Sequence, residues 1–109
     1  MAVYVDTARN QFGRMIMCHM LADSIAELHE AARMTGMLRI WYQPVNHPHY
    51  DLNLARRAIA VRNGAIEVDR RGIVSIKRRL RADPRFVAEV LEHHRTHGHP
   101  VPRFFEQKE

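Results

Sequence analysis

The chain has 109 residues, 46% of them hydrophobic and 27% charged, which is ordinary globular usage and excludes a chain too polar to fold. That length supports one core burying roughly 65% of the unfolded surface. Seventeen basic residues against twelve acidic ones give a net charge of +5, and fifteen of the seventeen are arginine; the planar guanidinium fork suits an anionic partner, although arginine-rich codon usage explains the bias equally well.

Taken in chain order, "AVYV" (residues 2–5) is predicted to form a first strand ending at Asp6, followed by a polar loop, "DTARNQFGR". "MIMCHML" (15–21) is predicted to be a second strand, with Cys18 and Met20 facing away from His19 in a period of two. This is the core of the longest mainly apolar stretch, which runs from Met15 to Ala22, far short of the roughly 20 residues that span a bilayer. The N-terminus lacks the apolar run and small-residue cleavage site of a secretory signal, so the expected location is the cytoplasm, without membrane contact. Cys18 is the single cysteine, which excludes an internal disulfide and a cysteine-only metal cage.

Asp23 or Ser24 caps a helix, Ser24 and Glu27 making a capping box, with Leu28, Ala31, Ala32 and Thr35 on one side and Gly36 as the stop. "LRIWYQ" (38–43) alternates like a third strand, and Pro44 and Pro48 impose a loop after it. A second helix is expected over 54–63, capped by Asp51 or Asn53, closed by Gly64, with Leu54, Ala58 and Val61 as its buried stripe. "AIEV" (65–68) makes a fourth strand and "DRRG" (69–72) a turn. Ser75 opens a short basic helix. A last helix begins at Asp83 and Pro84 and stops at Gly98, and Phe86, Val90 and His94 lie along one face of it. The tail "HPVPRFFEQKE" is expected to extend along the surface or a partner. The resulting fold class is α/β, a single-sheet β-β-α-β-α-β core domain over 1–70 with a C-terminal helical extension over 71–109.

The ordered set "VYVD", "GRMIMCHMLAD", "HYD" and "LARRAIAVRNGAIEV" resembles the bacterial and phage proteins numbered 4031 among the domains of unknown function, over about residues 3–68. The residues at its characteristic motifs are Asp6, Arg14, Met17, Cys18, His19, Asp23, His49, Tyr50, Asp51, Arg57 and Gly64. Thr7 stands where that family often has a second acidic residue after "YVD". The resemblance implies a domain boundary and a shared cleft, and brings no activity with it.

Three chemistries fit these residues. Asp6, His19, His49 and Asp51 lie at strand ends and in a loop, where α/β sheets gather ligands, and imidazole with carboxylate suits a divalent metal such as zinc or manganese. In the preferred scheme Asp6, His49 and Asp51 hold the metal or activate water and His19 assists proton transfer. Arg14, Arg57 and Arg62 bind phosphate, with Arg56 as a further candidate, and the reaction is metal-assisted phosphoester hydrolysis on a phosphorylated small molecule or nucleic acid. The bland alternative makes His19 a sheet histidine, Tyr50 a core residue and Asp51 a helix cap.

The runner-up function is a non-catalytic module that binds nucleic acid or protein through the basic residues 69–81, Arg85 and Arg95, with the C-terminal helices as a candidate homo-oligomer interface. A Cys18 nucleophile is disfavoured because adjacent strand residues face opposite ways, which denies it His19 as a base. "HHRTHGH" (93–99) holds four of the eight histidines and is left outside the proposed site, since His93 and His97 lack an acidic or cysteine co-ligand nearby.

Overall fold

The computed structural model describes residues 2–102; the aromatic part of the tail reading, Phe104 and Phe105, lies outside them. The elements are β1 (Val3–Val5), β2 (Asn10–Phe12), β3 (Met15–Ala22), α1 (Ile25–Met34), a 3-10 turn (Arg39–Trp41), β4 (Tyr50–Asn53), α2 (Leu54–Arg62), β5 (Ile66–Glu67), α3 (Arg70–Arg81) and α4 (Pro84–His97). A small α/β domain is what the composition and periodicity predict. No described helix is long and apolar enough to cross a membrane.

The eight-residue β3 organises the sheet. Along one edge it pairs antiparallel with β1, Val5 opposite Met20, and with β2, Gln11 opposite Ile16. Along the other it pairs antiparallel with β4, setting Cys18 opposite Leu52 and His19 opposite Asp51. The two-residue β5 adds parallel to β1, so the five-stranded sheet is mixed. Successive strand residues point to opposite faces. Cys18 and Met20 of β3 and Tyr50 and Leu52 of β4 therefore enter one core, fully buried with Leu28 of α1, Leu80 of α3 and Val90 of α4. On the opposite face Leu21 packs with Tyr4 and with Ile73 of α3. Only one end of that second face is covered in this way.

Several local readings change: Tyr50–Asn53, expected as loop and helix cap, is β4, and Ser75 lies inside α3 rather than opening it. The segment after Asp6 is not all loop: Asn10–Phe12 forms β2, and Gly13, at φ 60°, makes the turn into β3. "LRIWYQ" is not a strand but a 3-10 turn followed by one bridge between Gln43 and His49. Its alternation has no pleat to serve, because Leu38, Ile40 and Trp41 are all exposed while only Tyr42 is buried. The α2 stripe is displaced: Leu54 and Ala58 are exposed and Ala60 is buried, because α2 turns Arg57 inward, where its Nε donates to the Asp6 carbonyl at 3.0 Å. "DRRG" is the first turn of α3, capped by Asp69, whose Oδ1 accepts from Gly72 N at 2.8 Å. Gly72 is needed for closeness, since a Cβ there would stand 3.0 Å from the Val68 Cβ.

Other boundaries hold. Ser24 caps α1 and accepts from Glu27 N at 3.1 Å, Asn53 caps α2 by accepting from Arg56 N at 2.9 Å, and α4 runs from an Asp83 cap to a left-handed Gly98 with Phe86, Val90 and His94 buried. Two carboxylates join the helices to the rest. Glu89 of α4 accepts from Ile25 N at 2.7 Å and from Ala26 N at 3.3 Å, placing negative charge on the open N–H groups of α1. Asp23 accepts from Ala2 N and the Tyr4 hydroxyl, each at 2.9 Å, and from Arg79 at 3.0 Å.

Between α1 and α4 lies a histidine contact: His29 Nε2 is 3.0 Å from His93 Nε2, and His29 Nδ1 is 2.7 Å from the Tyr50 hydroxyl. Burial, with Arg39 and His93 adding to it, pushes His29 down to about 3, and burial with the neighbouring histidines pushes His93 down to about 4.

Two outcomes follow for stability. Glu89→Ala is expected to cost about 1–2 kcal/mol in chemical denaturation, from the lost charge and hydrogen bonds at the α1 N-terminus. Histidines held neutral in the fold but charging near 6.5 in the unfolded chain contribute stability above pH 6.5, and it is lost as pH falls from there toward 4. Denaturation midpoints measured from pH 7.5 to 4.5 should therefore decline, and His29→Gln should decline less steeply; equal slopes would dismiss this role.

Candidate functional site

Strand periodicity and register build the site. His49 and Asp51 are two residues apart in extended chain and so share a face, and the pairing of Asp51 with His19 brings the β3 histidine to that same face. Asp6, just beyond β1, completes the group by donating its backbone N–H to the His19 carbonyl at 3.1 Å.

The Asp6 carboxylate is held by the His19 ring and backbone and by the Ala8 N–H. Its Oδ1 accepts from His19 N at 2.9 Å and from Ala8 N at 3.2 Å, and its Oδ2 lies 2.7 Å from His19 Nδ1. Burial works to raise this carboxyl, but the His19 ring and backbone bonds together outweigh it and hold Asp6 below the ordinary carboxylate range. The same contact raises His19, against opposition from burial and from Lys77.

His49 is oriented by its own chain: its Nδ1 is 2.7 Å from the His47 carbonyl oxygen. A carbonyl and an ionised carboxylate can only accept, so His49 and His19 each carry their first proton on Nδ1. Each Nε2 then has either a lone pair or a second proton, and both face the same atom. Asp51 Oδ1 is 3.2 Å from His49 Nε2 and 4.0 Å from His19 Nε2, and the His49 contact holds the Asp51 carboxyl below its ordinary value.

Ligand atoms of His19, His49 and Asp51 all lie within 4.8 Å of one another. Tetrahedral ligands at metal bonds of about 2.0–2.1 Å stand roughly 3.4 Å apart, so small side-chain shifts would seat a cation among the three. Asp6 is not among them; it stands on the Nδ1 side of His19 and orients the ring. The fourth group of the expected set thus stands behind the His19 ring, where a carboxylate would support that imidazole were it to hold a metal.

The expected phosphate arginines separate. Arg57 is committed, with Nε on the Asp6 carbonyl and Nη1 on Glu67 at 2.8 Å. Arg14 is exposed in the turn between β2 and β3, and Arg62 is exposed in the last turn of α2, about 12 Å of helix rise from Leu54. Arg56, one residue before Arg57, lines the cleft and stacks over Trp41 at 5.4 Å from the ring centroid. Lys77, one turn after Ile73 on α3, is near enough for its charge to oppose protonation of both His19 and His47.

His19 and Asp51 lie in the lining of a cleft of about 660 Å³, whose walls include Met17, Ile40, Trp41 and Arg56. It opens on the second sheet face, beside the 3-10 turn. Cys18 is on the other side of the sheet, fully buried, and burial raises its thiol to about 11, features that further disfavour it as a nucleophile. Arg56 is a further phosphate candidate in the sequence; the position of Lys77 near His19 is unexpected, although its spacing of four from Ile73 on a helix is a signal for it.

Residues 3–80 match the profile of a family described as Protein of unknown function (DUF4031). The chain belongs to this family. The DUF4031 match contains His19, His49, Asp51, Asp6 and Lys77 and extends through most of α3, while α4 lies beyond it. No curated protein and no solved structure matches the chain.

In an NMR titration of the histidine rings, Asp6→Asn should lower the His19 pKa toward the ordinary value, because the largest contribution raising it is the Asp6 contact. An unchanged His19 titration would contradict the geometry given above.

Proposed function

We propose that this protein holds a divalent metal, zinc or manganese, on His19 Nε2, His49 Nε2 and the Asp51 carboxylate, and cleaves a phosphoester seated in the adjoining cleft. The observation that carries this reading is the orientation of the two imidazoles. Each spends Nδ1 on an oxygen that only accepts, and both Nε2 atoms converge on one Asp51 oxygen. A cation there takes the place of second protons on the rings and leaves coordination positions for water and substrate.

In the reaction, the oxygen of a water molecule bonds to phosphorus, the bond from phosphorus to the leaving oxygen breaks, and one proton passes from the water to the leaving group. No electron is transferred. The metal supplies Lewis acidity and a water of lowered pKa. Asp6 fixes the His19 ring and Arg57 fixes the backbone of Asp6, so both act as positioning residues. Arg56 and Lys77 offset phosphate charge, taking the part that the sequence assigns to Arg14, Arg57 and Arg62.

A second reading, a non-catalytic nucleic-acid module, is favoured by one observation: Arg70, Arg71 and Arg78 of α3 are all exposed. Binding by that surface is salt-dependent and indifferent to the metal ligands.

The test is calorimetry with Zn²⁺ and Mn²⁺ on metal-stripped protein, together with turnover of bis(p-nitrophenyl) phosphate. One metal should bind at a single site, His49→Ala and Asp51→Ala should each weaken it at least tenfold, and Asp6→Asn should weaken it about 10–100-fold. Turnover should disappear with EDTA and return with metal. A wild-type protein that binds neither ion would overturn the proposal, and salt-sensitive oligonucleotide binding unaffected by His49→Ala would install the second reading.

A further inference from the structure

The cleft beside the His19 cluster is built from an unusual combination of groups. Trp41 and Ile40 are exposed on the 3-10 turn, at 43% and 84%, and Phe12 of the opposing hairpin is 69% exposed. All three line the same cavity. Large apolar side chains left this open, on two separate segments that face one space, indicate a surface kept for a flat apolar ligand rather than for the core.

The polar groups are also selective. Arg56 lies across Trp41 at 5.4 Å, making a cation and an aromatic ring a single stacking unit. Asn10 and Gln43 line the same cavity; an amide side chain offers donor and acceptor together, the pairing that matches the edge of a nucleobase. His19 and Asp51 also line it, with Lys77 contributing positive charge near His19. The volume, about 660 Å³, falls in the range of small-ligand sites, about 300–1,000 Å³.

We propose that the cleft recognises a nucleoside phosphate, with the base against Trp41, Ile40 and Phe12 and the phosphate directed to His19 and Asp51. Placement of the phosphate rests on the metal reading given above; recognition of the base does not. The unit is either a free nucleotide or one nucleotide of a single strand, since both present a stackable base beside a phosphate.

Trp41 is the chain's one tryptophan, so its fluorescence reports this cleft without a label. Titrations are made with adenosine monophosphate, ribose 5-phosphate and a ten-residue oligodeoxyadenylate, each with the metal-stripped protein and with the protein in Zn²⁺ or Mn²⁺. Adenosine monophosphate or the oligonucleotide should quench Trp41 saturably, ribose 5-phosphate should bind at least tenfold more weakly, and Arg56→Ala should weaken the nucleotide at least tenfold. Stronger binding of the monophosphate identifies a free nucleotide as the source, and stronger binding of the oligomer identifies a strand.

Ribose 5-phosphate binding as tightly as the nucleotide overturns the proposal, because the base then contributes nothing. So does a protein that takes up metal and shows neither quenching nor heat with either nucleotide probe, and that result leaves the metal reading intact. Saturable, base-dependent quenching in a protein that binds neither metal supports the nucleoside assignment and defeats the metallohydrolase instead.

Discussion

Everything in this protein follows from β3 being paired on both edges. Its ladder partners fix the register, and the two-residue period then sorts its side chains without further choice. Cys18 and Met20 must enter the core; Met17, His19 and Leu21 must face the other way. A slip of one residue would bury His19 and expose Met20, so the hydrophobic demand of one face is what sets the polar geometry of the other. On the second face Ile73 of α3 covers Leu21, while His19 and Asp51 line a cleft.

The helices are held in place by charge as well as by apolar packing. Glu89 sits on the N-terminus of α1, and Asp23 joins the start of β1, Tyr4 and Arg79 of α3. Half-buried carboxylates with several donors apiece define direction more sharply than aliphatic contact does, since hydrogen bonds fail within a few tenths of an ångström. Lys77 owes its position to this anchoring, because Arg79 and Ile73 on either side of it are both tied to the Tyr4 end of the sheet.

Elements whose signals are local were legible in the sequence. The Ser24 and Glu27 capping box, the Asp83–Pro84 start and Gly98 stop of α4, and the alternation of β3 each act within a few residues, and each appears at its expected place. The misreadings have a common origin. "LRIWYQ" alternates in sequence, but its Ile40, Trp41 and Tyr42 line a cleft rather than a pleat, and Gly72 looks like a turn although its missing side chain serves contact with Val68. For the site, the two-residue spacing of His49 and Asp51 was visible, but this segment reads as loop and helix cap rather than as β4, and the ladder partner of Asp51 was hidden because 31 residues separate it from His19 and pairing across such a distance is decided by the whole fold. That is why Asp6 and His19 could be placed in one group while their separate positions around it could not.

The sealed position of Cys18 gives the molecule a built-in clock. Its thiol lies one residue from His19 along the chain and on the opposite side of the sheet, with no exposure and with ionisation suppressed by burial. A maleimide or disulfide reagent reaches it only when β3 separates from a neighbouring strand or the helices lift from the core, events that also dismantle the His19 and Asp51 pairing. The rate of thiol modification in native buffer thus counts openings of the sheet itself, and anything that binds across β3 and β4 from the cleft side would slow that rate without touching the sulfur.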